Sequence, residues 1–309
     1  MAPRWPGRRN TSRKPRLADL LAVSGVLIET PGVRQDLFHH RDNVPMTSGK
    51  PVGPATRDAA YFDQWYADMA VSPTRDAIMA RTLGLPPELQ FASALTWQGV
   101  ADVTEELRLP PDGLLLDIAC GRGGYGIEVA RRAGARLVGV DFSAVALEQA
   151  RSIGADRLPA GRSDFRIGTL LEAGLPTGVA DGLMCVDAVQ FAEPPLAALL
   201  EFRRLLTAGG RLALTCWEAV DPADERVPAR VHAVNLRRDL SEAGFVDVEV
   251  HDKPEWREAE RVMWEAAVAA ADADAAVRSL QVEGRRSLDA FDSLRRVFAT
   301  ATAPSSAKR

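Results

Sequence analysis

Cysteine is scarce in this chain, with three residues among 309, and histidine is scarcely more frequent, with four. The spacing of Cys120, Cys185 and Cys216 fits no zinc motif. Each falls at the expected C-terminal end of a strand, where a small buried hydrophobe in a reducing compartment competes with a thiol role at a ligand rim. No cluster of metal-ligating residue types is visible, so no metal is expected. No apolar run approaches the roughly 20 residues that a membrane span requires, which argues against an integral membrane protein. No internal repeat is evident, which speaks against a repeat architecture.

What is present is a chain long enough for one large core or two modest ones, with 46% hydrophobic and 26% charged residues. Charge is unevenly spread. Residues 1–50 hold nine Lys/Arg against four Asp/Glu, which leaves 29 against 38 for the remainder. An acidic body repels phosphate backbones, so a small molecule is expected as substrate rather than nucleic acid, and no membrane association is expected. The basic, proline-containing opening precedes an apolar patch from Leu17 to Ile28, but Asp19 interrupts it and no small-residue cleavage site follows. The segment 1–50 therefore reads as a disordered basic leader, with Met46 as the expected true start, and the protein is expected in the cytoplasm.

The most informative stretch runs from Leu114 to Gly126, LLLDIACGRGGYG. Three consecutive leucines suit a strand covered on both faces, and the glycines let the backbone turn sharply and approach a ligand. Gly121, Gly123 and Gly126 formally satisfy G-x-G-x-x-G, and Asp141 lies 20 residues after Gly121, the offset of a carboxylate that binds ribose hydroxyls in a dinucleotide site. Asp117 opposes that reading, because it would repel a pyrophosphate one turn away while favouring an amino-acid ammonium group. S-adenosylmethionine carries such a group.

These residues resemble the class I S-adenosylmethionine-dependent methyltransferases. The acidic residue followed by glycines reads Asp117, Ala119, Gly121, Gly123 here, with alanine at the first glycine position, a departure that adds one methyl group. The second motif is similar to 137–143, LVGVDFS, ending in Asp141. The third strand and adenine-side loop resemble 164–170, with Thr169 where many relatives have aspartate; the fourth strand and its loop resemble 181–191; the glycine turn into the fifth resembles 207–215. The resemblance implies an α/β, Rossmann-like fold: a seven-stranded, mostly parallel sheet of order 3-2-1-4-5-7-6, strand 7 antiparallel, with helices on both faces and a helical cap. It implies an N-terminal cap over 51–112, a cofactor-binding core over 113–218, and a completing segment over 219–309 with a helical insertion over the substrate.

Methyl transfer to a small-molecule acceptor in specialised metabolism is the implied reaction, with S-adenosyl-L-methionine as cofactor and a monomer or homodimer as the assembly. Asp117, Ala119, Gly121, Gly123, Asp141, Phe142, Ser143, Thr169, Leu170, Asp187, Ala188 and Gln190 are the expected cofactor contacts. Tyr61, Trp65, Tyr66 and Trp217 are expected at a lid or substrate wall, where ring faces attract a sulfonium, against ordinary core packing. In-line displacement needs mainly positioning, so a base is hard to read; His232 and Glu218, shortly after the fifth strand, are the candidates. Two other classes stay open: a nicotinamide-dependent oxidoreductase, and a member of the fold that binds the cofactor without methylating or that regulates a partner.

Overall fold

A computed structural model describes residues 59–271 and 273–305. The expected leader, and the first residues of the expected cap, lie outside the described residues. Among those described, α1 (Ala59–Ala70), α2 (Pro73–Leu83) and α3 (Trp97–Leu107) precede the sheet. The cap expected before the sheet is thus helical with two breaks among the described residues. Ser72 ends one turn and caps α2, its hydroxyl accepting from Arg75 N, and Pro73 occupies the first turn, where a missing N–H costs nothing. Gly84, at φ 69°, closes α2 as a left-handed cap, and the Thr96 side chain opens α3 by accepting from Gly99 N.

From there strand and helix alternate: β1 (Leu114–Ile118), α4 (Gly124–Ala133), β2 (Arg136–Asp141), α5 (Ala144–Arg157), β3 (Ser163–Ile167), β4 (Ala180–Val186), α6 (Pro195–Leu205) and β5 (Leu206–Ala219). A one-turn α7 (Ala229–His232), α8 (Leu236–Glu242) and β6 (Val246–Asp252) follow, then α9 (Pro254–Ala269), α10 (Ala275–Asp289) and β7 (Leu294–Thr302). The sheet has the expected order, β3-β2-β1-β4-β5-β7-β6. β7 runs antiparallel to both neighbours, and its register sets Arg296 opposite Trp217 and Phe298 opposite Thr215.

Burial explains the layering. β1 is buried at every position, as a central parallel strand covered on both faces must be. Phe298 and Ala213 pack with residues of α3, α4, α9 and the α2–α3 connection, while α6 and α8 contact each other elsewhere on the sheet and bury Leu199, Phe202, Leu236 and Leu240. Gly134 caps α4 at φ 62°. Gly154 lies inside α5, which continues to Arg157, and a Cβ there would lie 2.9 Å from the Phe165 ring. Parallel strands of this kind gather the loops after β1, β2, β3 and β4 at one edge, where open α/β sheets bind ligands.

Candidate functional site

At that edge the chain turns from β1 into α4 through a loop with three left-handed positions, Ala119 at φ 60°, Gly121 at φ 52° and Gly123 at φ 80°. Glycine suits such backbone; alanine does not, so the alanine at 119 is a strained position and not the mild departure expected from its single methyl group. Gly126 has a different reason to be glycine. A Cβ there would lie 2.5 Å from Asp117 Oδ2, so its absence lets the buried carboxylate reach the first turn of α4, where the Gly126 N–H donates to it. Burial first, and then the charge of Asp141, lift Asp117 to about 8.

Asp141 ends β2 and joins the loop to the next helix. Its Oδ2 accepts from Gly121 N at 2.8 Å and its Oδ1 from Ser143 N at 2.9 Å. Burial pushes its carboxyl up, against the pull of these N–H groups and that of Phe142. Ser143 caps α5 by accepting from Ala146 N, and its hydroxyl donates to Asp63 of α1 at 2.5 Å.

Helix α1 thereby lies over the loop. Phe62 meets the Phe142 ring edge-on at 5.2 Å, Trp65 stands 5.0 Å from Tyr66, and the Tyr66 hydroxyl lies 2.7 Å from where a Cβ of Gly121 would be. Burial, and then Asp141, push the Tyr66 phenol well up. The lid residues therefore divide: Tyr66 is buried against the loop, Trp65 is half-buried in the α1 cluster, and Tyr61 is exposed and packs edge-on against Phe62.

On the other side, Gly168 N donates to Asp141 O, and Thr169 spends its hydroxyl oxygen on Leu171 N and Glu172 N of its own turn. Leu170 is half-buried beside it. Phe142, Ile167 and Leu171 are exposed apolar residues around this corner, and only Phe142 was expected in a binding role. Their signal in the sequence is an apolar pair flanking a short polar turn.

The loop after β4 carries Asp187 at φ 57°, another left-handed non-glycine residue of the kind found at functional sites. Thr215 Oγ1 donates to its Oδ1 at 2.6 Å, Gln190 Nε2 donates to its carbonyl, and Ala188 is buried beneath. Glu218 does not present a free carboxylate. It accepts from Leu236 N at 2.6 Å and pairs with Arg295 at 2.5 Å, and so ties α8 to β5 and β7. His232 ends α7 exposed to solvent. Trp217 is half-buried against Phe291. Cys120, Cys185 and Cys216 are buried, unpaired and pushed up by burial. Among the described residues no group of His, Cys, Asp or Glu is placed to hold a metal ion, and no helix is long and apolar enough to cross a membrane.

Residues 116–214, from β1 through β5, match a family described as methyltransferase domain. The O-methyltransferase resE of Aspergillus sclerotiorum is 24% identical over 149 residues, 45% of this chain and 56% of its own length. The chain thus spans little more than half of that relative. Phosphoethanolamine N-methyltransferase 2 of Haemonchus contortus, solved with phosphomonomethylethanolamine and S-adenosylhomocysteine, superposes at a TM-score of 0.62 with 18% identity over 79% of this chain and 60% of its own. The [4+2]-cyclase SpnF superposes at 0.59 with 20% identity, covering 84% of this chain and all of its own. These likenesses show the fold.

Proposed function

We propose that this chain, whose residues 116–214 make up a methyltransferase domain of the class I S-adenosylmethionine-dependent type, transfers a methyl group from S-adenosyl-L-methionine to a small-molecule acceptor. The observation that carries this reading is the pair of buried carboxylates, Asp141 and Asp117, on either side of one left-handed glycine loop. Asp141 is held by backbone N–H groups at a strand end, as an acceptor for two ribose hydroxyls must be. With Asp117 lifted to about 8, a neighbouring ammonium group would draw it back to its charged form and gain an ion pair, whereas a pyrophosphate would only hold it neutral, which supports an amino-acid cofactor over a nicotinamide dinucleotide.

The residues fit that cofactor. Gly121 leaves room for close approach, filled here by the Tyr66 hydroxyl, and Phe142, Ile167 and Leu171 offer an apolar corner for the adenine, with Thr169 committed to its own turn. When bound, the cofactor supplies an electrophilic methyl group on a sulfonium. The chain's own work is to orient the acceptor and exclude water, for which positioning is worth several kcal/mol. Helix α1 is placed to do the excluding. Tyr66 must withdraw from the loop to admit a ligand, and its ring and that of Trp65 then remain to cover it.

The acidic body supports a small acceptor, in the cytoplasm, over nucleic acid. Incubating the full chain with methyl-labelled S-adenosylmethionine and a panel of phenols, amines and carbon acids tests the reading, with label expected in at least one acceptor. Cofactor binding with no transfer to any compound would favour the second reading, a fold member with other chemistry, for which the likeness to a cyclase is the specific support.

A further inference from the structure

Arg296 sits in the middle of β7 with no exposed surface, among apolar neighbours Val297, Phe298 and Ala299. Arginine is almost never buried unless it is paired. Its Nη2 lies 2.6 Å from Asp187 Oδ1, which also accepts from Thr215. Its Nε lies 3.5 Å from Glu260 Oε2 on α9, an ion-pair contact without hydrogen-bond geometry. The guanidinium lies 5.5 Å from the Trp217 ring centre.

Five buried polar atoms of this cluster have no partner in hydrogen-bond geometry: Arg296 Nε, Nη1 and Nη2, Glu260 Oε2 and Gln190 Oε1, with Nε, Nη2 and Glu260 Oε2 standing only in the ion pairs above. Buried polar groups in native proteins are almost always satisfied, so unmet donors and acceptors at one place point to a missing partner. Three are donors and two are acceptors. A group that serves both kinds is a hydroxyl. A carboxylate ligand would face Asp187 and Glu260, and an ammonium has no lone pair with which to accept from Arg296 Nη1, so a neutral O–H suits both sides. The position is suitable, because Asp187 directly follows β4 and Trp217 lies near the end of β5, both at the edge that carries the glycine loop. The surroundings are aromatic, with Trp217 and Phe298 on the sheet and Trp264 donating to Glu260 Oε1 at 3.2 Å.

We propose that Arg296 and Glu260 bind the methyl acceptor by an aromatic or enolic hydroxyl, Arg296 Nη1 donating to its oxygen and Glu260 Oε2 accepting its proton. The proposal rests on the methyl-transfer reading and names its substrate class. A lone pair of the acceptor oxygen forms the bond to the methyl carbon, the carbon–sulfur bond leaves its electrons on sulfur, and the O–H proton passes to Glu260. The products are a methyl ether, a thioether and a protonated Glu260 that returns its proton to water. Burial lifts Glu260 to about 7, opposed by Arg296 and by the indole N–H groups of Trp264 and Trp217, which suits a base working near neutrality.

The test is calorimetric titration of the full chain with phenols and naphthols, each beside its own methyl ether, and with anilines and benzoates as controls, with and without S-adenosylhomocysteine. Wild type is expected to bind phenols at least ~10-fold tighter than their ethers, because the ether cannot donate to Glu260 and leaves it unpaired. Glu260→Gln is expected to lose that preference while S-adenosylhomocysteine affinity is kept, and Arg296→Lys to lose it as well. Glu260→Gln preserves volume and an acceptor for Trp264, so it keeps the test open should Arg296→Lys fail to fold. Turnover of an accepted phenol by Glu260→Gln should fall by roughly 100-fold or more, mostly in kcat. Failure to bind any phenol, equal binding of phenol and ether, preference for anilines or benzoates, or an unaltered Glu260→Gln overturns the proposal. If S-adenosylhomocysteine fails to bind while phenols still bind in an Arg296-dependent way, the methyl-transfer reading falls and the hydroxyl site stands.

Discussion

At the end of β2 one carboxylate ties the glycine loop to the start of α5, and the same carboxylate is the proposed ribose acceptor. Replacing Asp141 by alanine removes charge-assisted bonds worth ~2–3 kcal/mol to the cofactor, so affinity should fall by roughly 30- to 150-fold, read by titration with S-adenosylhomocysteine. Ala119 gives a prediction of opposite sign. Its left-handed backbone costs about 1–2 kcal/mol in alanine, partly offset by the entropy of a free glycine, so Ala119→Gly should stabilise by about 0.5–1 kcal/mol in denaturant unfolding. Asp117 adds a pH dependence. Its raised folded value of about 8 means the native state keeps a proton that the unfolded chain releases near pH ~4. The stability due to this proton is fully present below about 4 and is lost as pH rises to about 8. Asp117→Asn, always neutral, should flatten that loss, with a higher melting temperature than wild type at about pH 9 and no gain at about pH 4. Asp117, Gly121 and Asp141 were legible because their spacing is local. The strain at Ala119 was not, since a residue name carries no φ.

Among the elements, α1 packs over the loop. Asp63 accepts from Ser143 Oγ and, at 3.4 Å, from Val145 N at the first turn of α5, where a carboxylate also meets the positive end of the helix. Gln149 of α5 donates to Tyr66 O, and Phe62 packs on Phe142. Asp63→Ala should therefore loosen α1, with amide exchange over 59–70 faster by roughly 10-fold and faster cofactor association. Unchanged exchange would mean that the aromatic face alone holds the helix. The aromatic residues at the start of α1 were legible as a cluster, but not which of them turns inward. That choice is made by the Asp63 contact with a residue 80 positions away. Gly154 is illegible for a related reason: a glycine reads locally as a helix stop, whereas this one clears space for Phe165 inside a continuing helix. Thr169, expected beside the adenine, satisfies the N–H groups of its own turn, a bond that the residue type alone does not announce.

For the whole molecule, the sheet order was legible because apolar strands, capped helices and glycine turns alternate from Leu114 to Trp217, and the family resemblance supplied the late strands. The Asp187, Glu260 and Arg296 cluster was not, since its members come from β4, α9 and β7 with no common spacing. An arginine inside the apolar run of β7 was the one sign available. The same long-range assembly explains why Glu218, a plausible base by its position after β5, proves committed to Leu236 and Arg295. The central claim, that the loop between two buried carboxylates holds S-adenosylmethionine, is tested most directly by titrating the full chain in parallel with S-adenosylmethionine, S-adenosylhomocysteine and NAD in a calorimeter. Micromolar binding of the two adenosyl sulfur ligands is expected, weakened in Asp141→Ala, with none of NAD. Binding of NAD alone would contradict it and return the glycine loop to the dinucleotide folds.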